Sequence, residues 1–280
     1  MTPVRRRPSF FSSGQVMQAH HDLFFSIFSF LFGAAVGSFL NVVIVRLPQQ
    51  ESLVSPPSRC PKCGRSIRFY DNIPILSWLM LGGRCRDCDQ RIPVRYPLVE
   101  LSTALMFTGL FLVWGLQPAT LVYFCFCAAM IAVFWIDLKH MIIPDAISLN
   151  LIPVGMACSV AGLLPDMNWK QSLFGFVLGG LVLYVPAAIY EKLRGIEGLG
   201  GGDVKLLAMI GAFTGPVGVL FVLFVSSTVG SLFGLVGMAS AGAGSTTPIP
   251  FGPFITSAAV LYVFAGTRIL AAFFGFSFPV

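Results

Sequence analysis

Charge is what this chain has least of. Only 12 of its 280 residues are acidic and 18 are basic, 11% charged in all, against 56% hydrophobic. Soluble domains carry about 25% charged residues, so a soluble globular protein is excluded. No internal repeat of fixed period and no low-complexity tract occur. A P-loop Gly-Lys-Ser/Thr and the Rossmann glycine spacing are absent too, and no buried strand precedes the one glycine-rich run. These absences weigh against phosphate or dinucleotide binding, and no nucleic-acid partner is expected. The first apolar segment lacks a small-residue cleavage site and is long and Phe-rich for a signal peptide. It is expected to stay as an anchor.

Apolar sequence is what the chain has in excess, with 27 Phe and a mean hydropathy of +0.82. A helical span needs roughly 20 apolar residues. Eight segments qualify, at about 23–45, 98–114, 119–136, 146–164, 172–190, 204–214, 217–238 and 254–275; the sixth is short and contains glycine. The expected fold is an all-α polytopic membrane protein with about eight transmembrane helices, in contact with membrane lipid. It divides into an N-terminal tail (1–22), a first transmembrane helix (23–45), a polar loop domain (46–97) and a membrane body (98–280). Nine basic residues fall in the loop, from Arg46 to Arg95, and such loops stay cytoplasmic. Lys139, Lys192, Arg194 and Lys205 fall on the same side, and Lys170 is opposite. Arg5, Arg6 and Arg7 argue the other way, but nine outweigh three, which puts the N-terminus outside. Gly33, Ala34, Gly37 and Ser38 give the first helix a small face for close packing.

The loop carries Cys60-Pro61-Lys62-Cys63 and Cys85-Arg86-Asp87-Cys88. Two C-x-x-C turns can present four thiolates to one tetrahedral zinc. A loop of this size can hardly build its own core, so the metal would staple it. Disulfides are the alternative, disfavoured on the cytoplasmic side. Four sulfurs leave no open position, so zinc is expected to be structural. Cys125, Cys127 and Cys158 lie in spans and read as small buried hydrophobes.

Asp137 ends the third span and Asp203 begins the sixth, both at the cytoplasmic border. Carboxylates at such borders are costly and usually face a protein interior or a wet cavity. Two that converge could activate water and protonate a carbonyl or leaving amine, as an intramembrane aspartyl protease requires. Ordinary helix-end residues are the competing reading. Gly200, Gly201 and Gly202, within the run that starts at Gly198, would let backbone approach an extended substrate. Asp145 reads as the N-cap of the fourth span, and Glu100 as an interface carboxylate within reach of Arg95.

Together these pieces resemble the type IV prepilin peptidase family, the bifunctional leader peptidases and N-methyltransferases. The resemblance rests on Gly37-Ser38-Phe39-Leu40-Asn41-Val42 with Arg46-Leu47-Pro48, and on both cysteine pairs. Asp71-Asn72-Ile73-Pro74 with Ser77-Trp78-Leu79 and Arg95-Tyr96-Pro97-Leu98-Val99-Glu100 follow. Asp137 with Ile143-Pro144-Asp145, Gly200-Gly201-Gly202-Asp203-Val204-Lys205 and Ile249-Pro250-Phe251-Gly252-Pro253 complete the order.

The resemblance implies leader cleavage of type IV prepilins or type II secretion pseudopilins by Asp137 and Asp203. It also implies methylation of the new N-terminal residue with S-adenosylmethionine. The expected location is the bacterial inner membrane, with the active sites facing the cytoplasm. Methyl transfer is implied for the N-terminal part, where Asp71, Asn72 and Glu100 are the candidate cofactor contacts; folding of the loop is their competing role. A substrate's apolar helix would lie among the spans while its scissile bond unwinds beside the glycines. Rival readings are a peptidase without methyl transfer, as in the preflagellin peptidases, and a non-enzymatic, zinc-stabilised membrane assembly component.

Overall fold

A computed structural model describes residues 13–60, 62–165, 167–195, 200–241 and 249–275. The basic cluster Arg5–Arg7, most of the tail (1–12), and Gly198 and Leu199 lie outside them. The described helices are α1 (Ser13–Arg46), α2 (Leu76–Met80), α3 (Arg95–Trp114), α4 (Pro118–His140), α5 (Asp145–Val160), α6 (Trp169–Arg194), α7 (Gly201–Ala241), α8 (Gly252–Leu261) and α9 (Thr267–Phe274). Among the described residues there is no strand, only two isolated bridges in the loop between α1 and α3.

The helix limits follow from local sequence. Pro118 opens α4, where its missing N–H costs nothing. Met141, in the left-handed region at φ 53°, closes it by donating its N–H to the carbonyl of Asp137. Asn168 and Gln171 form a reciprocal capping box at the start of α6. At α5 the cap is Pro144, with no side-chain bond. Asp145 instead bonds Lys205 of α7, so it is no N-cap.

Among the described residues, six helices are long and apolar enough to cross a membrane: α1, α3, α4, α6, α7, and the run of α8 and α9. The expected count of eight differs at two places. First, α5 has only 16 residues, about 24 Å of helix and shorter than the ~30 Å apolar core. Second, the expected sixth and seventh spans form one helical run, α7, broken where Gly215 takes φ 69° and Pro216 follows. Pro cannot donate, and only Gly adopts that φ without strain. Beyond the break, Gly218 and Phe221 lie against Tyr262, whereas Gly230 lies against Phe251 and Phe254. The second half of α7 therefore runs back along α8 toward its first turn.

The central post is α4, two-thirds buried in its apolar window, against 44% or less for the other spans. Phe126 and Met130 pack with Phe107, Leu206, Ile210, Phe213 and Ile255 in the main core. The small face of α1 meets α3: a Cβ at Gly37 would come within 2.7 Å of the Glu100 Cα, and one at Gly33 within 2.8 Å of the Ala104 Cα. With no hydrophobic drive between helices in lipid, that backbone approach is what holds α1 to α3.

Gly37→Leu should therefore destabilise the protein by about 1–3 kcal/mol, seen as a lower thermal midpoint in detergent. Leu at Gly180, where a Cβ would find only ordinary contact at 3.7 Å, should have a much smaller effect.

Candidate active site

α4 delivers Asp137 to the end of the membrane body, where only 5% of it is exposed. A buried carboxylate needs hydrogen-bond donors. One donor comes from 115 residues away: the Gly252 N–H, at the first turn of α8, reaches Asp137 Oδ2 at 3.0 Å. The approach depends on glycine, because a Cβ at Gly252 would sit 2.6 Å from the same oxygen. Pro253 follows in the first turn, where its missing N–H is tolerated.

Asp203 enters from the third element, in the first turn of α7, and lies within electrostatic reach of Asp137. The sequence-predicted pair is thus brought together. The three glycines before Asp203 differ from one another. Gly202 is pressed on Ile143, 3.0 Å from Cβ to Cβ if a side chain were added, while Gly201 has open space and Gly200 only distant contact. The Lys205 Nζ donates to both oxygens of Asp145 at 2.8 and 2.9 Å, tying α5 to α7 two residues beyond Asp203. Sequence reasoning missed two partners here. Gly252 was visible only as part of a motif, and the charges of Asp145 and Lys205 carry no sign of which helix each meets.

The loop domain repeats one hydrogen-bond pattern twice. Cys60 N–H donates to Arg65 O and Gly64 N–H to Cys60 O; Cys85 N–H donates to Gln90 O and Asp89 N–H to Cys85 O. Gly64 and Asp89 hold matching left-handed positions. These two turns face each other, with all four sulfurs within 4.8 Å of one another. The Cys60 and Cys88 sulfurs are 3.7 Å apart. Tetrahedral coordination at a Zn–S distance of about 2.3 Å requires a sulfur–sulfur edge of about 3.8 Å, so the cluster fits a metal ion. All four cysteines are free thiols. Backbone N–H groups of Cys63, and then of Lys62, pull the Cys60 thiol down to about 7 against its burial. At Cys88 the backbone bond to Gln90 lowers the pKa, but burial and the neighbouring sulfurs together push it up. Four sulfurs this close could hold a metal ion.

The three candidate cofactor contacts separate. Asp71 is locked to Arg86, whose Nε and terminal nitrogen reach it at 2.7–3.1 Å. This bond, opposed by burial and aided by the charges of Arg86 and Arg68, holds the Asp71 carboxyl below its ordinary range. Its contribution to stability is present at neutral pH and fades as pH falls through that lowered value. Glu100 does not pair with Arg95, whose guanidinium lies over Tyr96. It accepts the Ile75 N–H at 2.7 Å and bonds Ser38. Ile75 has φ 64°, ψ −53°, and Leu76 N–H reaches back to Pro74 O, a γ-turn that β-branched residues resist. Asn72 alone lines open space, a cavity of about 290 Å³ with Ser38, Phe39, Arg46 and Pro56.

Residues 31–114 match the bacterial Peptidase A24 N-terminal domain, and residues 124–235 match the type IV leader peptidase family. A prepilin leader peptidase/N-methyltransferase of Pseudomonas aeruginosa is 36% identical over 92% of this chain and 97% of its own length. Proteins of the same name from Stutzerimonas stutzeri and Burkholderia pseudomallei strain 1026b are each 34% identical; the former covers 92% of this chain and 97% of the relative, the latter 86% and 85%. No solved structure matches the chain.

Purified protein should carry about one zinc per chain, measured by elemental analysis. Cys60→Ser and Cys88→Ser should each abolish it and open the loop between Ser58 and Pro93 to protease, leaving the membrane helices protected. Full metal content in either variant would contradict the four-sulfur site.

Proposed function

Because the chain belongs to the type IV leader peptidase family, we propose that it is a bifunctional prepilin leader peptidase and N-methyltransferase. It would hydrolyse leaders of type IV prepilins or type II secretion pseudopilins with Asp137 and Asp203. The observation that carries the peptidase half is the buried Asp137, fixed by the Gly252 N–H beside Asp203.

Fixing Oδ2 holds the Asp137 carboxyl in one orientation while water and the scissile carbonyl occupy the space between it and Asp203. One carboxylate takes a proton from water as the oxygen attacks the carbonyl carbon. The other, protonated, gives its proton to the carbonyl oxygen; as the C–N bond breaks, the first passes the proton it took from water to the leaving amine, and the second recovers its own from the collapsing diol. Gly200 and Gly201, with no side chain and space beside them, leave room for an extended substrate backbone next to Asp203. We read the two arms of α7 as separate membrane helices, and α5 as a short one, eight in all. The basic loop puts both carboxylates and the cysteine turns on the cytoplasmic side of the bacterial inner membrane.

The loop domain (46–97) is assigned to methyl transfer, with zinc on Cys60, Cys63, Cys85 and Cys88 as its structural staple. S-adenosylmethionine supplies the methyl group for the amine that cleavage exposes. The cavity beside Asn72 suits its mixed polarity. Phe39 offers a ring face, and Arg46, steadied by the carbonyls of Ser52 and Pro56 at 3.0 and 2.8 Å, offers positive charge to a carboxylate. Asp71 and Glu100 would act one layer behind, by holding the loop in shape.

The test is the intact mass of a prepilin incubated with the reconstituted protein and S-adenosylmethionine. Wild type should yield a product without its leader and one methyl heavier. Asp137→Asn and Asp203→Asn should each cut leader release by about 10²–10⁴-fold or more in a folded protein. Normal cleavage by either variant would overturn the aspartyl mechanism, and leader loss without methylation would favour the peptidase-only reading.

A further inference from the structure

Asp137 and Gly252 each stand at the end of a stripe. On α4 the positions 130, 134 and 137 are spaced i, i+4, i+7 and share one face; on α8 so do 252, 256 and 260. The two stripes meet at the Asp137–Gly252 bond. One turn farther into the membrane, the outward-facing side chains of α3, α4 and α8 leave a gap between them. The gap is a groove of about 380 Å³, lined on α3 by Leu98 and Met106, on α4 by Met130 and Phe134, and on α8 by Ser257 and Val260. From Leu98 to Met106 it runs about 12 Å, two turns of helix. Its volume falls within the range of ligand-binding clefts, and it opens outward at Leu98, which is 47% exposed, and at Ser257.

A peptide cut at Asp137 must continue away from the scissile bond. A continuation that enters the membrane must be apolar, and it must be helical, since only a helix satisfies its own backbone there. This groove begins about one turn from the Asp137–Gly252 bond, at Phe134 and Thr256, and its walls are mainly apolar, with Ser102, Thr256 and Ser257 as the hydroxyl side chains among them. We propose that the groove between α3, α4 and α8 seats the apolar helix of the substrate, its first turn lying against Phe134 and Ser257 just below the carboxylate pair. The assignment rests on the aspartyl-peptidase reading, and it adds where specificity for an apolar segment resides. Small Ser257 and Ser102 keep the channel open, and bulk at either would close it.

The experiment uses the full chain in liposomes with a full-length type IV prepilin. A photoreactive benzoyl-phenylalanine replaces Leu98, Ser257 or, as a distant lipid-facing control, Phe174 on α6, each combined with Asp203→Asn to preserve the substrate. Prepilin adducts from positions 98 and 257, absent at 174, are expected. In the otherwise wild-type chain, Ser257→Trp should lower kcat/KM for the prepilin at least tenfold with its thermal midpoint unchanged, while Phe174→Trp, away from the groove, stays near wild type. Adducts to lipid alone, or to a second copy of the enzyme alone, would overturn the groove assignment while wild-type cleavage leaves the peptidase reading intact. Unimpaired cleavage by Ser257→Trp would overturn it likewise. Failure of the wild type to cleave the same prepilin would remove the peptidase reading and the groove with it.

Discussion

The hydrogen bond from the Gly252 N–H to Asp137 is the contact on which the membrane body converges. A carboxylate at the edge of a bilayer is costly unless hydrogen-bonded, and it reacts usefully only if its orientation is fixed. One backbone donor answers both needs, at a position where any side chain would collide with the acceptor. The rest of the body can be read as the means of bringing that donor there. α4 is the most buried span and carries the carboxylate as a rigid post. α7 starts with Asp203, reverses at Gly215 and returns along α8, and so braces the helix that supplies Gly252.

A second constraint couples the loop domain to this body. Glu100 lies in the second turn of α3, with its Cα against Gly37 of α1 and its carboxylate bonded to Ile75 and Ser38. Ile75 is thereby kept in a backbone conformation that costs roughly 1–3 kcal/mol for a residue of its kind. Strain of that size persists only where surrounding contacts over-determine it. Here the contacts are the buried Glu100 on one side and the folded loop on the other, with Asp71–Arg86 and the four sulfurs fixing the loop itself. Asn72, the residue after Asp71, and Ser38 of α1 line the cavity between the loop and the membrane body.

Much of this was legible in the sequence because scarcity makes residues conspicuous. Asp137 and Asp203 stand out as rare carboxylates at the ends of apolar runs, and the spacing of Cys60, Cys63, Cys85 and Cys88 carries its own geometry. The all-helical class follows from apolar run length, and the small face of α1 from Gly33 and Gly37. What stayed hidden depends on contacts between distant segments. Nothing local says that Gly252 reaches Asp137, or that Asp145 turns to Lys205 instead of capping α5. Proximity in sequence suggested Arg95 for Glu100, but the first turns of α3 send Arg95 over Tyr96 and Glu100 toward Ile75. The span count was ambiguous for a physical reason: Gly215 and Pro216 break direction without interrupting helical bonding on either side.

Gly252→Ala, with both aspartates intact, tests the central claim most directly. Leader release from a prepilin and methylation of a pre-cleaved pilin peptide would be measured side by side on the folded variant. The account predicts that leader release falls at least about a hundredfold, the scale of a misplaced acid–base group, while methylation proceeds as in wild type. Unimpaired leader release would contradict it, because Asp137 would then not depend on the donor that the structure gives it.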